Sequence, residues 1–281
     1  MGNKKKKIWL AVLIFLFFAA VSFFVLFPIY YIVMASFKSS QELFRHGLDL
    51  RIIPAGMSLD NYKLLLFGKD SYYLYWYRNS ILICALFTVF SLFLSSLVGY
   101  GLGAYNFKGR NLIFVLVLVV MMMPLEILML PLYKLIVDMR IINTYAGVIL
   151  PFVVSPIAIF FFRQFVTGIS KDFMDAGRID GCTEFGIFFR IMMPLMKPAF
   201  GAMAILLAMQ NWNSLIWPLI VLRTNNMFTL PIGLASLLSP YGNNYDMLIA
   251  GAVLAIIPIV IVFLFNQRSF ISGLTAGGIK G

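Results

Sequence analysis

The sequence predicts an all-α membrane protein with about six transmembrane helices. Of its 281 residues, 62% are hydrophobic and 12% charged, and the mean hydropathy is +0.94, well outside the range of water-soluble domains. The apolar residues also fall into runs long enough to cross roughly 30 Å of hydrocarbon at about 20 helical residues each. Barrel strands would need only about 9–11 residues with strict alternation, a pattern these runs lack.

The expected spans are Ile8–Phe37, Ser80–Tyr105, Leu112–Tyr133, Tyr145–Phe165, Ala199–Leu222 and Met247–Phe265. Lys4 to Lys7 precede the first span as in a secretory signal, but the apolar run continues past the small residues Ala19 and Ala20, which argues for a retained helix. The second span holds Cys84, and the third holds Pro124 and Glu126. Glu126 reads either as a proton-coupling group or as a hydrogen-bonded, outward-reaching acid near the interface. Met121 to Met123 read as packing rather than a metal path. Pro28, Pro151, Pro156, Pro218 and Pro258 fall inside other spans, where neighbouring helices can satisfy the freed carbonyls. The fifth span gathers Gln210, Asn211, Asn213 and Ser214 beside Trp212 and Trp217. Amides offer donors and acceptors and aromatic faces stack on sugar rings, so the cluster suits a neutral hydroxylated solute; interhelical hydrogen bonding explains it equally well.

Lys and Arg set the orientation. With the N-terminus inside, Lys4 to Lys7, Lys108, Arg110, Arg163, Lys171, Arg178, Arg190, Lys197, Arg268 and Lys280 are cytoplasmic. The short outer loops then hold only Lys134, Arg140 and Arg223. Both termini are expected in the cytoplasm, and the net charge of +11 is a topology signal rather than the mark of a nucleic-acid partner. Cys84 and Cys182 lie in a span and a cytoplasmic loop and cannot pair, and His46 is the single histidine. A histidine-based zinc or haem site is therefore not expected, nor a clustered catalytic set.

The segment from about Gly168 to Pro198 is amphipathic rather than apolar. Asp172, Asp175, Arg178, Asp180 and Glu184 interleave with Phe173, Ile179, Phe185, Phe188 and Phe189, which predicts two short helices with a turn at Asp180-Gly181. Such a pair either lies on headgroups or projects and docks elsewhere. Asp175-Ala176-Gly177, Asp180-Gly181-Cys182 and Ile191-Met192-Met193-Pro194 stand at the spacing of the EAA loop, EAA-x2-DGA-x8-I-x-LP, and so resemble ABC importer permeases. Asp175 stands for the family Glu, Gly177 and Cys182 for Ala, and Met193 for Leu; Gly177 adds flexibility where the family has a helix former. Met123-Pro124 through Tyr133, Asn143-Thr144-Tyr145, Leu150-Pro151, Asn211-Trp212-Asn213, Trp217-Pro218-Leu219 and Gly273 to Gly281 extend the likeness to carbohydrate importers similar to the maltose permease G subunit.

The resemblance implies a type I, maltose-permease-like fold and one permease domain over residues 1–281, with a coupling loop at about 168–198 and a cytoplasmic tail at 266–281. It implies a bacterial inner-membrane subunit that pairs with a second, homologous permease, two ATPases that bind ATP and Mg, and an external solute-binding protein. No cofactor or metal belongs to this chain itself: no G-x4-GK-[ST] occurs, Ile279 interrupting the nearest approach, so the energy must come from a partner. Asp175, Ala176, Gly177, Asp180, Gly181, Cys182 and Pro194 are the expected ATPase-coupling residues, with Gly181 supplying a turn where a Cβ would clash. Gly277, Gly278, Lys280 and Gly281, in a tail that composition makes a flexible end, would reach the ATPase interface. Gln210, Asn211, Asn213 and Trp217 are translocation-path candidates. Tyr241, Asn243 and Asn244, in a turn-rich outer loop, would touch the binding protein. The rival reading, an ion-coupled secondary transporter, calls for intramembrane charges, of which the spans hold only Glu126, and for an inverted repeat that the sequence does not display.

Overall fold

The computed structural model describes residues 2–42, 57–69, 71–239 and 242–276. Helices carry nearly all of it. They are α1 (Gly2–Ala35), α2 (Asp60–Phe67), α3 (Tyr73–Ala104), α4 (Arg110–Met122), α5 (Leu125–Asp138), α6 (Tyr145–Phe152, ending in a 3-10 turn), α7 (Pro156–Thr167), α8 (Asp172–Ile179), α9 (Glu184–Leu195), α10 (Lys197–Trp212), α11 (Ile216–Val221), α12 (Leu230–Ser236) and α13 (Tyr245–Ala276). A two-residue antiparallel ladder, β1 (Leu238–Ser239) with β2 (Gly242–Asn243), pairs Leu238 with Asn243 before α13.

Three helices cross a membrane by length and composition: α1 over Lys7–Ala35, α3, and α13 over Tyr245–Phe265. The count reaches six when each of three bent helix pairs is taken as one span. Each bend has a local cause. The sequence suggests one continuous span over Leu112–Tyr133, but α4 and α5 meet at 101°. Met123 precedes Pro124, the proline ring drives it to an extended φ −75°, ψ 128°, and Pro124 itself starts α5 at ψ 131°. The 13 residues of α4 rise only about 20 Å. The fourth span divides at Ser155, whose hydroxyl caps α7 by accepting from the Ala158 N–H, with Pro156 in the first turn; α6 and α7 differ by 45°. The third bent pair is α9 with α10, which meet at 77° at Met196 (φ −82°, ψ 2°), with Pro198 in the first turn of α10; the predicted fifth span itself is α10 followed by a break at Asn213 and the short α11. Helix α13 runs through Ala276, so the tail read as flexible from residue 266 is helical over its first part. Phe270, Ile271 and Leu274 keep a helical apolar spacing there.

The chain divides into two compact units. The first comprises residues 1–73 and 234–256. Within it Asn61 donates to the carbonyls of Ser36 (2.9 Å) and Lys38 (3.0 Å), Tyr62 bonds Ser36 at 2.6 Å, and Ser40 donates to Asp246. The Tyr73 hydroxyl donates to the Gly251 carbonyl at 2.9 Å.

The second unit, residues 74–233 and 257–281, holds the main core. Phe162, Phe188, Met192, Met196, Ala199 and Met203 interlock there, with Ala158 also fully buried. Helices α3 and α7 approach closely at Gly99 and Gly103, where an added Cβ would lie 2.6 Å from the Phe162 Cβ and 2.9 Å from Val166. One turn earlier, the Ser95 hydroxyl of α3 accepts from the backbone N–H of Ser155 at 3.0 Å. Near the other end of the unit, buried Asn79 donates to the carbonyls of Asn226 (2.8 Å) and Phe228 (3.0 Å) and accepts from Tyr145 (2.6 Å). Ser80 accepts from the Leu230 N–H at 2.7 Å.

A helical hairpin and a polar cavity as the candidate functional sites

The amphipathic loop folds as the sequence predicts, two helices with a turn at Asp180-Gly181. Helix α8 closes through paired backbone bonds, Cys182 N–H to Gly177 C=O (2.9 Å) and Gly181 N–H to Arg178 C=O (3.0 Å), the bonding pattern of a Schellman turn. That turn needs a left-handed residue, and Gly181 has φ +76°. Its Cβ would meet nothing within 4 Å, so the expected clash is absent and the demand for glycine is conformational. Thr183 then caps α9, its hydroxyl accepting from the Gly186 N–H at 3.1 Å.

Arg178 ties the hairpin together. It donates to Asp175 at 2.7 Å and to both carboxylate oxygens of Glu184, at 2.8 and 3.3 Å. The Tyr105 hydroxyl, just beyond α3, donates to the same Glu184 carboxylate and lies 3.1 Å from the Tyr100 hydroxyl. The Arg178 guanidinium, and after it the Tyr105 hydroxyl, hold the Glu184 carboxyl below its ordinary value. Glu184 in turn raises Arg178 further.

Gly177 serves as a contact surface. It is buried against α9, where an added Cβ would lie 2.6 Å from Ile191 Cδ1 and 3.2 Å from Ile187 Cγ1, so its missing side chain lets the two helices touch. Ala176, Asp180 and Gly181 are exposed, Cys182 is half-buried, and Pro194 lies exposed near the end of α9. Pro194 follows a π-helical stretch, Phe188–Met192, in which the Met193 N–H reaches back to the Phe188 carbonyl. Two residues absent from the expected coupling set dominate the hairpin surface: Ile179 is 86% and Phe185 73% exposed. Their signal in the sequence is an apolar residue on each side of the Asp-Gly turn, where a purely solvated tip would be polar.

The polar residues of the fifth span divide. Gln210, Asn211 and Trp217 line one cavity of 430 Å³, joined by Ser214, Phe87 and Phe152. Asn213 is not among its walls; its side chain donates to the Met209 carbonyl at 2.9 Å and closes the end of α10. Trp217 is nearly buried, and its indole N–H is spent on the Gly147 carbonyl at 3.2 Å. Glu126 sits exposed in the first turn of α5, a favourable place for an acid at a helix N-terminus. Among the described residues, no group of three or more His, Cys, Asp or Glu side chains could hold a metal ion.

The Asn244 backbone N–H donates to the Leu237 carbonyl at 3.1 Å, extending the β1–β2 turn. Tyr241 lies outside the described residues, and of Asn243 the backbone pairing alone is described. Gly277, Gly278, Lys280 and Gly281 also lie outside them.

Residues 95–274 match the family described as binding-protein-dependent transport system inner membrane component. The chain is 61% identical over 266 residues to the arabinooligosaccharides transport system permease protein AraQ of Bacillus subtilis, covering 95% of this chain and 94% of that protein. It is 32% identical to the lactose transport system permease protein LacG of Rhizobium radiobacter, with 92% of each chain covered. To the sn-glycerol-3-phosphate transport system permease protein UgpE of Brucella suis it is also 32% identical, over 89% of this chain and 90% of that one. In fold it resembles a chain in the crystal structure of a bacterial ABC transporter involved in the import of the acidic polysaccharide alginate, with a TM-score of 0.78 at 23% identity over 92% of this chain and 96% of that chain. A match that takes in the α8–α9 hairpin and every bent helix pair, joined to relatives of nearly equal length, shows that the chain belongs to the binding-protein-dependent inner membrane components, the multi-pass permease subunits of ABC importers.

Proposed function

We propose that this permease carries a neutral oligosaccharide of the arabino-oligosaccharide type inward, forming half of the translocation pathway beside a second, homologous permease. The observation that carries the mechanism is the ion-paired α8–α9 hairpin, whose turn is flanked by exposed apolar side chains. Its chemistry suits insertion into a cleft on an ATPase: Ile179 and Phe185 supply apolar area, and Arg178 fixes the angle between the helices. The chain takes no part in the bond chemistry. Partner ATPases bind ATP and Mg, and closure of their dimer moves the hairpin.

The hairpin faces the cytoplasm together with both termini, a reading supported by the Lys and Arg distribution. The residues 277–281 add a second contact to the ATPase. The Asn244 turn, with Tyr241 and Asn243, lies on the outer side and receives the binding protein. The substrate class is supported by the 61% identity to the arabinooligosaccharide permease and by the cavity amides beside aromatic faces. Uptake of labelled arabino-oligosaccharide by cells lacking the endogenous chain tests the reading, with and without a plasmid copy. Uptake restored by the copy and abolished by ATP depletion is the expected result. Restored uptake that instead collapses with an uncoupler at full ATP would overturn it.

A further inference from the structure

Lys108, Arg110, Arg163 and Lys171 gather where α3 ends, α4 begins and α7 gives way to α8, and no acid occurs from Ser71 through Leu125 or from Met139 through Lys171. A topology signal alone would be met by solvated lysines on the surface, but two of these cations are placed otherwise. Arg163 is half-buried on α7, its guanidinium 3.6 Å from the Phe114 ring centroid, and its buried Nε has no hydrogen-bond partner among the described residues. Among the described residues Arg110 bonds only neutral oxygens, the Tyr105 carbonyl at 3.1 Å and the Asn106 side chain at 2.6 Å.

The space beside them is hollow. A cavity of 240 Å³ has Asn106, Arg110, Thr167 and Lys171 among its walls and buried Val166 and Met192 as its apolar floor. A second cavity of 300 Å³ shares Asn106 and Arg110 with it and runs along the first turn of α4. No carboxylate lines either one. Two cations without an ion pair among the described residues, amide donors and the positive end of a helix around a hollow favour an anion, and a tetrahedral phosphate is the anion that uses several such donors at once. Phe107, Leu112 and Ile113 stand exposed next to the second cavity, so its outer edge is apolar and suited to acyl chains.

We propose that these adjacent cavities hold the phosphate of an anionic phospholipid headgroup, with Arg110 and Lys171 as its cationic ligands. Basic pockets between helices at the inner surface recognise such headgroups, and each cation there contributes to the attraction. The inference rests on the membrane-spanning reading and on the cytoplasmic placement of these charges, and not on the sugar or the ATPase. Because Lys171 immediately precedes α8, a bound headgroup would also fix the base of the hairpin.

The test is native mass spectrometry of the tagged full chain, purified with whatever partners accompany it, after exchange into phosphatidylcholine nanodiscs with and without phosphatidylglycerol. Wild type should keep phosphatidylglycerol through detergent ejection, and Arg110→Gln with Lys171→Gln should weaken that retention by about tenfold or more. Arg110→Lys, which keeps the charge, should retain it, and Lys171→Gln alone, at an exposed side chain, should show a partial loss in a folded protein. Equal retention of phosphatidylcholine, or no change in the double variant, would overturn the proposal. If millimolar inorganic phosphate raised the melting temperature as phosphatidylglycerol does, and the variant lost both effects, the phosphate site would stand and its lipid source would fall. Loss of the ATPase with lipid retention intact would assign the charges to the protein partner and overturn the site.

Discussion

Gly181 carries the sharpest demand on a single residue. At φ +76° an L side chain costs about 1–2 kcal/mol, and a β-branched one is disfavoured further, yet no atom stands within 4 Å of its Cβ. Size is therefore tolerated and backbone conformation is not. Gly181→Asn, which tolerates the left-handed region, should keep most ATP-driven uptake, whereas Gly181→Val should abolish it with normal membrane insertion; uptake in whole cells and blotting of membrane fractions check both. Equal activity of the two would show that the turn is not held in this conformation during transport. Arg178 makes a different demand. Its partners are exposed, so Arg178→Ala should hardly move the melting temperature, yet it frees the α8–α9 angle and should reduce ATPase stimulation in the reconstituted complex. A double-mutant cycle with Glu184→Gln should show strong coupling in transport, because one guanidinium holds both acids.

At the scale of elements, stability concentrates where polar groups are buried between helices. Asn79 is fully buried and serves two carbonyls and the Tyr145 hydroxyl, so Asn79→Ala leaves several groups unsatisfied and should cost about 3 kcal/mol, read as a lowered melting temperature in detergent. The same principle separates what was legible in the sequence from what was not. Span location follows from apolar length, so α1, α3 and the membrane part of α13 fall where hydropathy puts them. The hairpin was legible because charge periodicity and the Asp180-Gly181 turn are local signals. The 101° bend at Met123-Pro124 was not, since a proline in a membrane helix is compatible with a mild kink or a full break, and packing of the flanking helices decides. The Gly99–Gly103 approach was present as a small-residue spacing, but its meaning depends on which helix lies opposite, a matter of tertiary structure. Likewise Gly177 reads as a flexible residue in one dimension and as a contact surface once Ile187 and Ile191 are brought against it.

Over the whole molecule the two candidate sites share one connector within the second unit. The hairpin ends at Leu195, and α10 starts at Lys197 and carries Gln210 and Asn211 to the cavity wall, about 20 Å further along its axis. The core at Met196, Ala199 and Met203 clamps the first turns of α10 between those points. Hairpin and cavity are therefore connected through the 77° bend at Met196 and a packed helix rather than through a long loop. This arrangement predicts that damage at the two ends separates into different phenotypes. Gln210→Leu with Asn211→Leu removes the cavity's amides at nearly constant volume and leaves the hairpin bonds untouched. The reconstituted complex should then keep its ATPase activity while sugar accumulation in vesicles falls by about tenfold or more, the cost of losing paired polar contacts to a hydroxylated solute. Gly181→Val should instead lose ATPase stimulation and accumulation together, since its defect lies at the hairpin, the proposed ATPase contact. Measuring hydrolysis and accumulation on the same vesicles decides the matter. If the cavity variant accumulated sugar normally, the amides would be bundle hydrogen-bonding groups, and the pathway would run along the partner permease.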